Sequence, residues 1–512
     1  MLQNPNKGRV RNTDGIYLIL IVILGAFLRL YHLGSESLWI DEAFSFADSR
    51  PATFSWLIQN LLQPWPVNSA FYFYLLHLWS LGGESEAFLR LFSAGLGIFS
   101  VVLTFYLGKK VYNPAVGLGG AFLLAVSPFH ILHSQEVRGY SLVVFLSLLA
   151  LLFAVRARED KSRANLILVF LISVLLFYTH ILTILFIGGL VLFFVIGTRL
   201  ETKRPARRWS LILPLLIVLF FLWRFAPPAF TSFFPRPGVM DGREAWWLTR
   251  MLGRPGLIYL IEVINSFSVG EEQGLIGGLA FRWPQLGCWV VPLFFLAGLY
   301  SAGRAQGYRR PAFWLPILIS LAPVFILFGL SQFENILLPK YLIYALPVFF
   351  LTAAQGWFSI KRTSLRLAGG LLVLLVLGSS LIPYYQGQRN PDWRNALPQV
   401  FLQFQEGDVL GINPGENQAI WDYYRRQLPG AETIPAYFFG SYLGGESEIT
   451  NRVREISGEY RRLAGKYRRL WLLSSLVYVN DPHNLVEQVA DANFTRLQTW
   501  PGDPKVALYK FR

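Results

Sequence analysis

The chain has 512 residues, 54% of them hydrophobic and only 15% charged, with one cysteine and a formal charge of +15. Soluble domains carry about a quarter charged residues, so this composition argues against a soluble fold, and the lone Cys288 excludes an internal disulfide framework or a cysteine-based metal site. The Lys and Arg residues sit in short clusters between apolar runs rather than along one polar face, which sets nucleic acid aside as a partner.

Apolar runs of roughly 17 to 23 residues match the length a helix needs to cross a hydrocarbon core of about 30 Å. The first, from about 15 to 30, follows Lys7, Arg9 and Arg11 and lacks a small-residue cleavage site, so it reads as a retained helix. Further spans are expected at about 90 to 108, 115 to 133, 140 to 155, 165 to 181, 183 to 198, 209 to 225, 286 to 303, 311 to 330, 341 to 357 and 367 to 384. The sequence thus predicts a polytopic α-helical membrane protein with about 11 transmembrane helices.

The positive-inside rule orients them. With the N-terminus inside, the short inner loops hold Lys109 and Lys110, then Arg156 to Arg163, Arg199 to Arg208, Arg304 to Arg310, and Lys361 to Arg366. The long loops, about 34 to 89 and about 226 to 285, fall outside. In the first, Phe54, Leu57, Ile58, Leu61 and Leu62 recur at helical spacing and predict a helix lying in the interface, while Phe71 to Trp79 is too short to span. The second carries Trp246, Trp247 and Trp283, residues suited to the headgroup region.

Polarity rises after Tyr385. Strand-like DVLGIN (Asp408 to Asn413), helix-like NQAIWDYYRRQ, strand-like RLWLLSSLVYV, helical NLVEQVADANF and strand-like KVALYKF predict a small α/β domain outside the membrane. The expected division is therefore 1–384, a membrane module, and 385–512, an extracytoplasmic domain.

Three segments carry charge into apolar surroundings at outer helix ends. LWIDEAFSF places Asp41 and Glu42 just after the first span, either as a polar loop cap or as a general base or metal ligand. HSQEVRGYS sets Glu136, Arg138 and Tyr140 at the outer end of the third span, where a guanidinium suits a two-pronged phosphate contact as well as a headgroup. ENILLPKYLIYALP opens the tenth span with Lys340 and Tyr341; this lysine breaks the charge rule and reads either as snorkelling or as a cation for a phosphate leaving group. Arg90 has a similar, weaker claim, and His180 reads as a ligand, an acid-base group or, best, a capping residue.

LRLYHLGSESLWIDEAFS (Leu28 to Ser45), GGESEAFLRLFSA (Gly82 to Ala94), SQEVRGYSL (Ser134 to Leu142), KYLIYALP (Lys340 to Pro347) and YYQGQRNPDWRNA (Tyr384 to Ala396) together resemble the GT-C superfamily of membrane glycosyltransferases. The likeness is to its bacterial branch, related to protein O-mannosyltransferases and the lipid A aminoarabinose transferase. A departure is QPWPVNSAFY (Gln63 to Tyr72), where many relatives carry a His-Pro-Pro run. The resemblance implies a multi-pass protein of the plasma (inner) membrane, with a cytoplasmic N-terminus and an extracytoplasmic C-terminal domain. Its expected partners are membrane lipids, a polyprenyl-phosphate sugar donor and a lipid, glycan or protein acceptor.

The resemblance also implies that Asp41 is the catalytic base, that Glu42 supports the acceptor or a metal, and that Arg138, Tyr140, Lys340 and Tyr341 lie near the lipid phosphate. Members differ in using a divalent metal, which leaves Glu42 and His180 as candidate ligands for one. The rival reading is a lipid flippase or transporter without transferase chemistry. It predicts polar or broken helices near the midplane, whereas these helix centres read mostly apolar and a P-loop for nucleotide is absent.

Overall fold

The structure, a computed structural model, describes residues 12–62, 68–160, 162–201, 255–270, 289–306, 311–333, 336–440, 449–477 and 481–511. The described helices, in chain order, are α1 (Asn12–Leu30), α2 (Ile40–Ser49), α3 (Phe54–Leu62), α4 (Ala70–Ser80), α5 (Glu86–Val111), α6 (Pro114–Ala125), α7 (Pro128–Ser134), α8 (Tyr140–Asp160), α9 (Arg163–Thr179) and α10 (Ile184–Glu201). They continue with α11 (Ile258–Val269), α12 (Val290–Gln306), α13 (Pro311–Leu330, with a π-helical middle at Pro316–Leu321), α14 (Leu346–Ser359) and α15 (Thr363–Gln386). The last four are α16 (Trp393–Phe401), α17 (Gln418–Tyr424), α18 (Ile449–Ala464) and α19 (Leu485–Asn493).

The chain divides into two units. One comprises Met1–Leu33, Pro51–Glu84 and Phe88–Gly387; the other comprises Gly34–Arg50, Ser85–Ala87 and Gln388–Arg512. Helix α2, though it follows the first span in sequence, thus belongs with the C-terminal residues.

The first unit is the membrane body. Among the described residues six helices are long and apolar enough to cross a bilayer, at Thr13–Leu30, Glu86–Val111, Tyr140–Asp160, Pro311–Leu330, Pro339–Ser359 and Thr363–Gln386; the bent pair α6 and α7 makes a seventh if counted as one span. The runs near 165 to 181, 183 to 198 and 286 to 303 form shorter apolar helices, and the run at 209 to 225 lies outside the described residues with most of the second long loop. Eleven crossings are therefore not established. Helix α11, inside that loop, was not expected: at 12 residues it is too short to register as a span, and buried Asn265, Ser266 and Ser268 interrupt its apolar pattern.

Apolar side chains facing outward identify the solvent. Ile16, Ile19, Leu20 and Ile23 of α1 and Leu371, Leu374 and Leu375 of α15 are half exposed or more, the behaviour of a surface bathed in lipid. Helix α8 is instead lined with buried residues on nearly every side, from Tyr140 to Ala157. Helices α12 and α14 approach backbone to backbone: a Cβ on Gly298 would lie 1.8 Å from the Thr352 carbonyl oxygen, and one on Gly356 1.9 Å from that of Phe294. Small residues permit this tight packing where hydrophobic burial alone gives helices no reason to associate.

The span at 115 to 133 is broken. Helices α6 and α7 meet at 62°, with the Ser127 hydroxyl accepting the His130 N–H at 3.3 Å and Pro128 opening α7. The break strands carbonyls at the end of α6, and fully buried Arg29 of α1 supplies their donors, reaching the oxygens of Ala125 at 2.9 Å and Leu124 at 3.0 Å. The same guanidinium lies 2.6 Å from Nδ1 of His130.

In the second unit a five-stranded sheet runs in the order β2-β1-β3-β5-β4, with β1 Asp408–Asn413, β2 Ala436–Phe438, β3 Arg469–Ser474, β4 Thr495–Trp500 and β5 Lys505–Lys510. β1 pairs in parallel with β2 and β3, while β5 pairs antiparallel with β3 and β4. All six residues of β1 are buried, as expected for a central parallel strand. Val409, Leu470, Leu472, Ile456, Tyr460, Val486, Val489 and Tyr509 form the core between sheet and helices α18 and α19. At the start of the sheet Arg469 grips its cross-strand partner Asp408 with bonds of 2.7 and 2.6 Å, and Trp471 donates to the same carboxylate at 2.9 Å. This α/β domain is the one the sequence predicts, with β2, β4, α16 and α18 added.

Candidate active site

Within the membrane unit the candidate residues gather where α7 gives way to α8. The connecting turn is pinned by Gln135, whose amide donates to the carbonyls of Arg29 at 3.0 Å and Tyr31 at 2.8 Å and accepts the Tyr384 hydroxyl at 2.6 Å. Ser141 donates to the His133 carbonyl at 3.0 Å and Ser93 of α5 to that of Arg138 at 3.3 Å. The turn therefore has little freedom, and the side chains it presents are held in place.

Those side chains surround one aromatic ring. The guanidinium of Arg138 lies 5.9 Å and the ammonium of Lys340 5.8 Å from the centroid of Tyr140, within cation–π range. His133 packs on the same ring at 4.9 Å and His180 at 6.1 Å, and His180 meets Tyr341 at 5.1 Å. Glu136 lies 3.0 Å from Nδ1 of His133. Burial pushes the Glu136 carboxyl up, but the His133 contact and the charges of Lys340 and Arg138 outweigh it and hold the group below the ordinary glutamate value.

Six of the expected residues, Glu136, Arg138, Tyr140, His180, Lys340 and Tyr341, thus stand together, though they come from three separate stretches of chain. A guanidinium and an ammonium on one ring are the groups that bind a phosphate through charge-assisted bonds. His133, the first residue of HSQEVRGYS, is a member that the sequence reading did not single out; its spacing of three from Glu136 across a helix end was the available signal. His180 caps the turn after α9, its Nδ1 accepting the Leu182 N–H at 3.3 Å. Arg90 is buried in α5 and donates to the Leu33 carbonyl at 3.2 Å.

The acids lie in the other unit. Trp39 is the N-cap of α2 and Glu42 its third residue; the Glu42 N–H bonds the Trp39 carbonyl at 3.0 Å while the Glu42 carboxylate accepts the Trp39 N–H at 3.3 Å. The carboxylate bond is the glutamate half of a capping box, the indole having no acceptor to supply the other half, and Glu42 is wholly buried in making it. Asp41, its neighbour, is only half-buried, and its carbonyl accepts the Ser45 hydroxyl at 2.9 Å. The two carboxylates therefore differ in burial: Glu42 is enclosed at the helix start, while Asp41 is half-buried beside it.

Glu42 spends its carboxylate on a helix end, His180 its Nδ1 on another, and among the described residues no three His, Cys, Asp or Glu side chains cluster as ligands. Among the described residues, Glu42 and His180 therefore do not fit a metal centre.

A family model described as dolichyl-phosphate-mannose-protein mannosyltransferase matches residues 68–229. No curated protein sequence matches the chain. Among solved structures, ArnT from Cupriavidus metallidurans bound to undecaprenyl phosphate is similar at 12% identity and a TM-score of 0.57, with 98% of each chain covered. The oligosaccharyltransferase of Archaeoglobus fulgidus in the apo form is similar at 13% identity and a TM-score of 0.54, over 94% of this chain and 73% of its own. The same archaeal enzyme in complex with an inhibitory peptide and a dolichol-phosphate gives 12% and 0.52, over 98% and 74%. At such identities the likeness is one of fold, and it agrees with the resemblance read from the motifs: the chain is a polytopic membrane protein with the fold of the GT-C superfamily of glycosyltransferases.

Proposed function

We propose that the protein is an integral membrane glycosyltransferase that moves a sugar from a polyprenyl-phosphate donor to an acceptor hydroxyl at the extracytoplasmic face. The observation that carries this reading is the pair of cations, Arg138 and Lys340, both placed about the Tyr140 ring and both acting on the Glu136 carboxylate. Two proteins of the same fold are seen with undecaprenyl phosphate and dolichol-phosphate, which supports a lipid phosphate as the ligand. The basic inner loops support a cytoplasmic N-terminus and a C-terminal domain outside the plasma (inner) membrane.

In the proposed reaction the acceptor oxygen attacks the anomeric carbon as the bond from that carbon to the phosphate oxygen breaks. The bonding pair leaves with the phosphate, where Arg138 and Lys340 stabilise the charge it gains, and the acceptor proton passes to the Asp41 carboxylate. A single displacement of this kind inverts the anomeric centre.

The test is sugar transfer by the purified protein in lipid nanodiscs, offered a panel of labelled polyprenyl-phosphate sugars, with Asp41→Asn alongside. Loss of transfer by about a hundredfold or more with donor binding retained is the expected result, in the range of general-base removal. Donor binding and transbilayer movement of lipid, with no sugar transferred by the wild type, would replace this reading with a flippase.

A further inference from the structure

We infer that Tyr424, Arg394 and Asn390 of the C-terminal domain are positioning residues that set the Asp41 carboxylate, by holding the backbone that leads into α2. The inference rests on the transferase reading of Asp41.

Residues 34 to 38 have no secondary structure of their own to satisfy their polar backbone groups. Each donor and acceptor in such a stretch needs a partner. The C-terminal residues supply them in succession. Arg394 donates to the Gly34 carbonyl through both terminal nitrogens, at 3.2 and 3.1 Å, and to that of Glu36 at 3.0 Å. Asn390 donates to the Ser37 carbonyl at 2.9 Å, and the Arg394 N–H reaches the Ser37 hydroxyl at 3.1 Å. The Leu38 N–H, on a fully buried residue, donates to the Tyr424 hydroxyl at 2.8 Å. One residue later the capping box takes over, and Asp41 follows two residues after that.

Tyr424 is the hinge of this arrangement because its hydroxyl works in both directions. It accepts from Leu38 and donates to Glu86 at 3.1 Å, and that carboxylate also accepts from Arg394 at 3.0 Å. Burial, with the Glu86 charge second, raises the Tyr424 hydroxyl above its usual range, so it stays protonated and keeps donating. Beyond the entry, α2 lies on α17 through Phe46, whose ring meets Tyr423 edge-on at 5.5 Å and 86°. Both ends of the Asp41 helix are thus seated on one short helix, α17, which leads out of strand β1.

A buried, multiply bonded seat for a base is what a displacement requires. A shift of about 1 Å in a reacting group can cost about a hundredfold in rate while leaving ground-state binding alone. Removing the Tyr424 hydroxyl keeps the ring and the packing but leaves the Leu38 N–H without its acceptor.

The experiment compares wild type, Asp41→Asn, Tyr424→Phe and, as a control on the exposed face of α18, Arg454→Ala, in the nanodisc transfer assay with kcat and donor KM measured separately. Hydrogen exchange across residues 37–40 is followed in parallel. Tyr424→Phe is expected to lower kcat about tenfold or more with donor KM within twofold, and to speed exchange at Leu38, while Arg454→Ala matches wild type. If Asp41→Asn is inactive but Tyr424→Phe turns over at the wild-type rate, the positioning role is wrong and the transferase reading stands. If Asp41→Asn is fully active, the reading of Asp41 falls and this inference with it. Should Tyr424→Phe fail to fold, Ser37→Ala removes the hydroxyl that accepts the Arg394 N–H in the strap while leaving the Tyr424 ring in place; a wild-type kcat there overturns the inference.

Discussion

Tyr384, near the end of the last membrane helix, donates its hydroxyl to Gln135 at 2.6 Å across 249 residues of sequence. Gln135 passes the restraint on, since its amide nitrogen is spent on carbonyls at the end of α1. The turn bearing Glu136, Arg138 and Tyr140 is therefore anchored by two helices that contribute no residue to the cation cluster. Gln135→Glu replaces the donor with a second acceptor facing those carbonyls, and is expected to cost about 1–3 kcal/mol of stability. Tyr384→Phe loses one bond, so its cost is about 1 kcal/mol. Thermal unfolding in detergent, read beside donor binding, ranks the two.

Arg138 and Lys340 flank one ring, so each is expected to contribute to phosphate affinity. Charge-assisted bonds are worth about 1.5–3 kcal/mol each, so Arg138→Met or Lys340→Met should weaken polyprenyl-phosphate binding at least tenfold. Arg138→Lys keeps the charge and loses the fork, and should recover only part of the loss. Titration of each variant with short-chain polyprenyl phosphate measures this; unchanged affinity in both Met variants would remove phosphate from the site.

Glu136 sets the pH dependence. Its carboxyl is held below the ordinary value in the folded protein, so its contribution to stability is complete above the unfolded carboxylate range. As pH falls through the lowered folded value the group takes up a proton and that contribution is lost. Wild type should thus exceed Glu136→Gln in melting temperature by a constant margin near neutrality, and the margin should close only in acid. Glu136→Gln should also bind lipid phosphate more tightly at neutral pH, because it removes the charge competing for the two cations.

Gly298 and Gly356 lie where helix backbones touch. Gly298→Val would drive a Cβ into the Thr352 carbonyl, 1.8 Å away, and is expected to prevent assembly of α12 with α14. Gly378 has nothing within 4 Å, so Gly378→Ala should be tolerated. Monodispersity on gel filtration separates the two outcomes.

Much of this fold was legible because lipid imposes length. Apolar runs near 90 to 108, 140 to 155, 311 to 330 and 367 to 384 all became long helices, with ends moved by a few residues. The cation cluster was legible too, since charge at an outer helix end is costly enough to be noticed in any apolar context. Glu42 was harder. Trp39 stands at the N-cap in place of the Ser or Thr of a capping box, so no sequence signature separates the helix-closing glutamate from the acid beside it. The allegiance of Gly34–Arg50 to the C-terminal unit was invisible for a different reason: the bonds that decide it join residues 308 to 386 positions apart, and periodicity carries no information over that distance.

The broken span has a consequence for biogenesis. The carbonyls of Leu124 and Ala125 lie at a helix end where lipid offers no hydrogen, and their donor is a guanidinium 95 and 96 residues earlier in the chain. A helix made earlier in the chain therefore carries the stopper that α6 needs. Ser127 and Pro128 mark where the span bends, but until α1 is alongside the carbonyls at the bend lack their guanidinium donor, and Arg29 itself has no place to hide its charge. Each completes the other, so the bend and the burial of Arg29 form in one docking event that waits on synthesis of the sequence through His130.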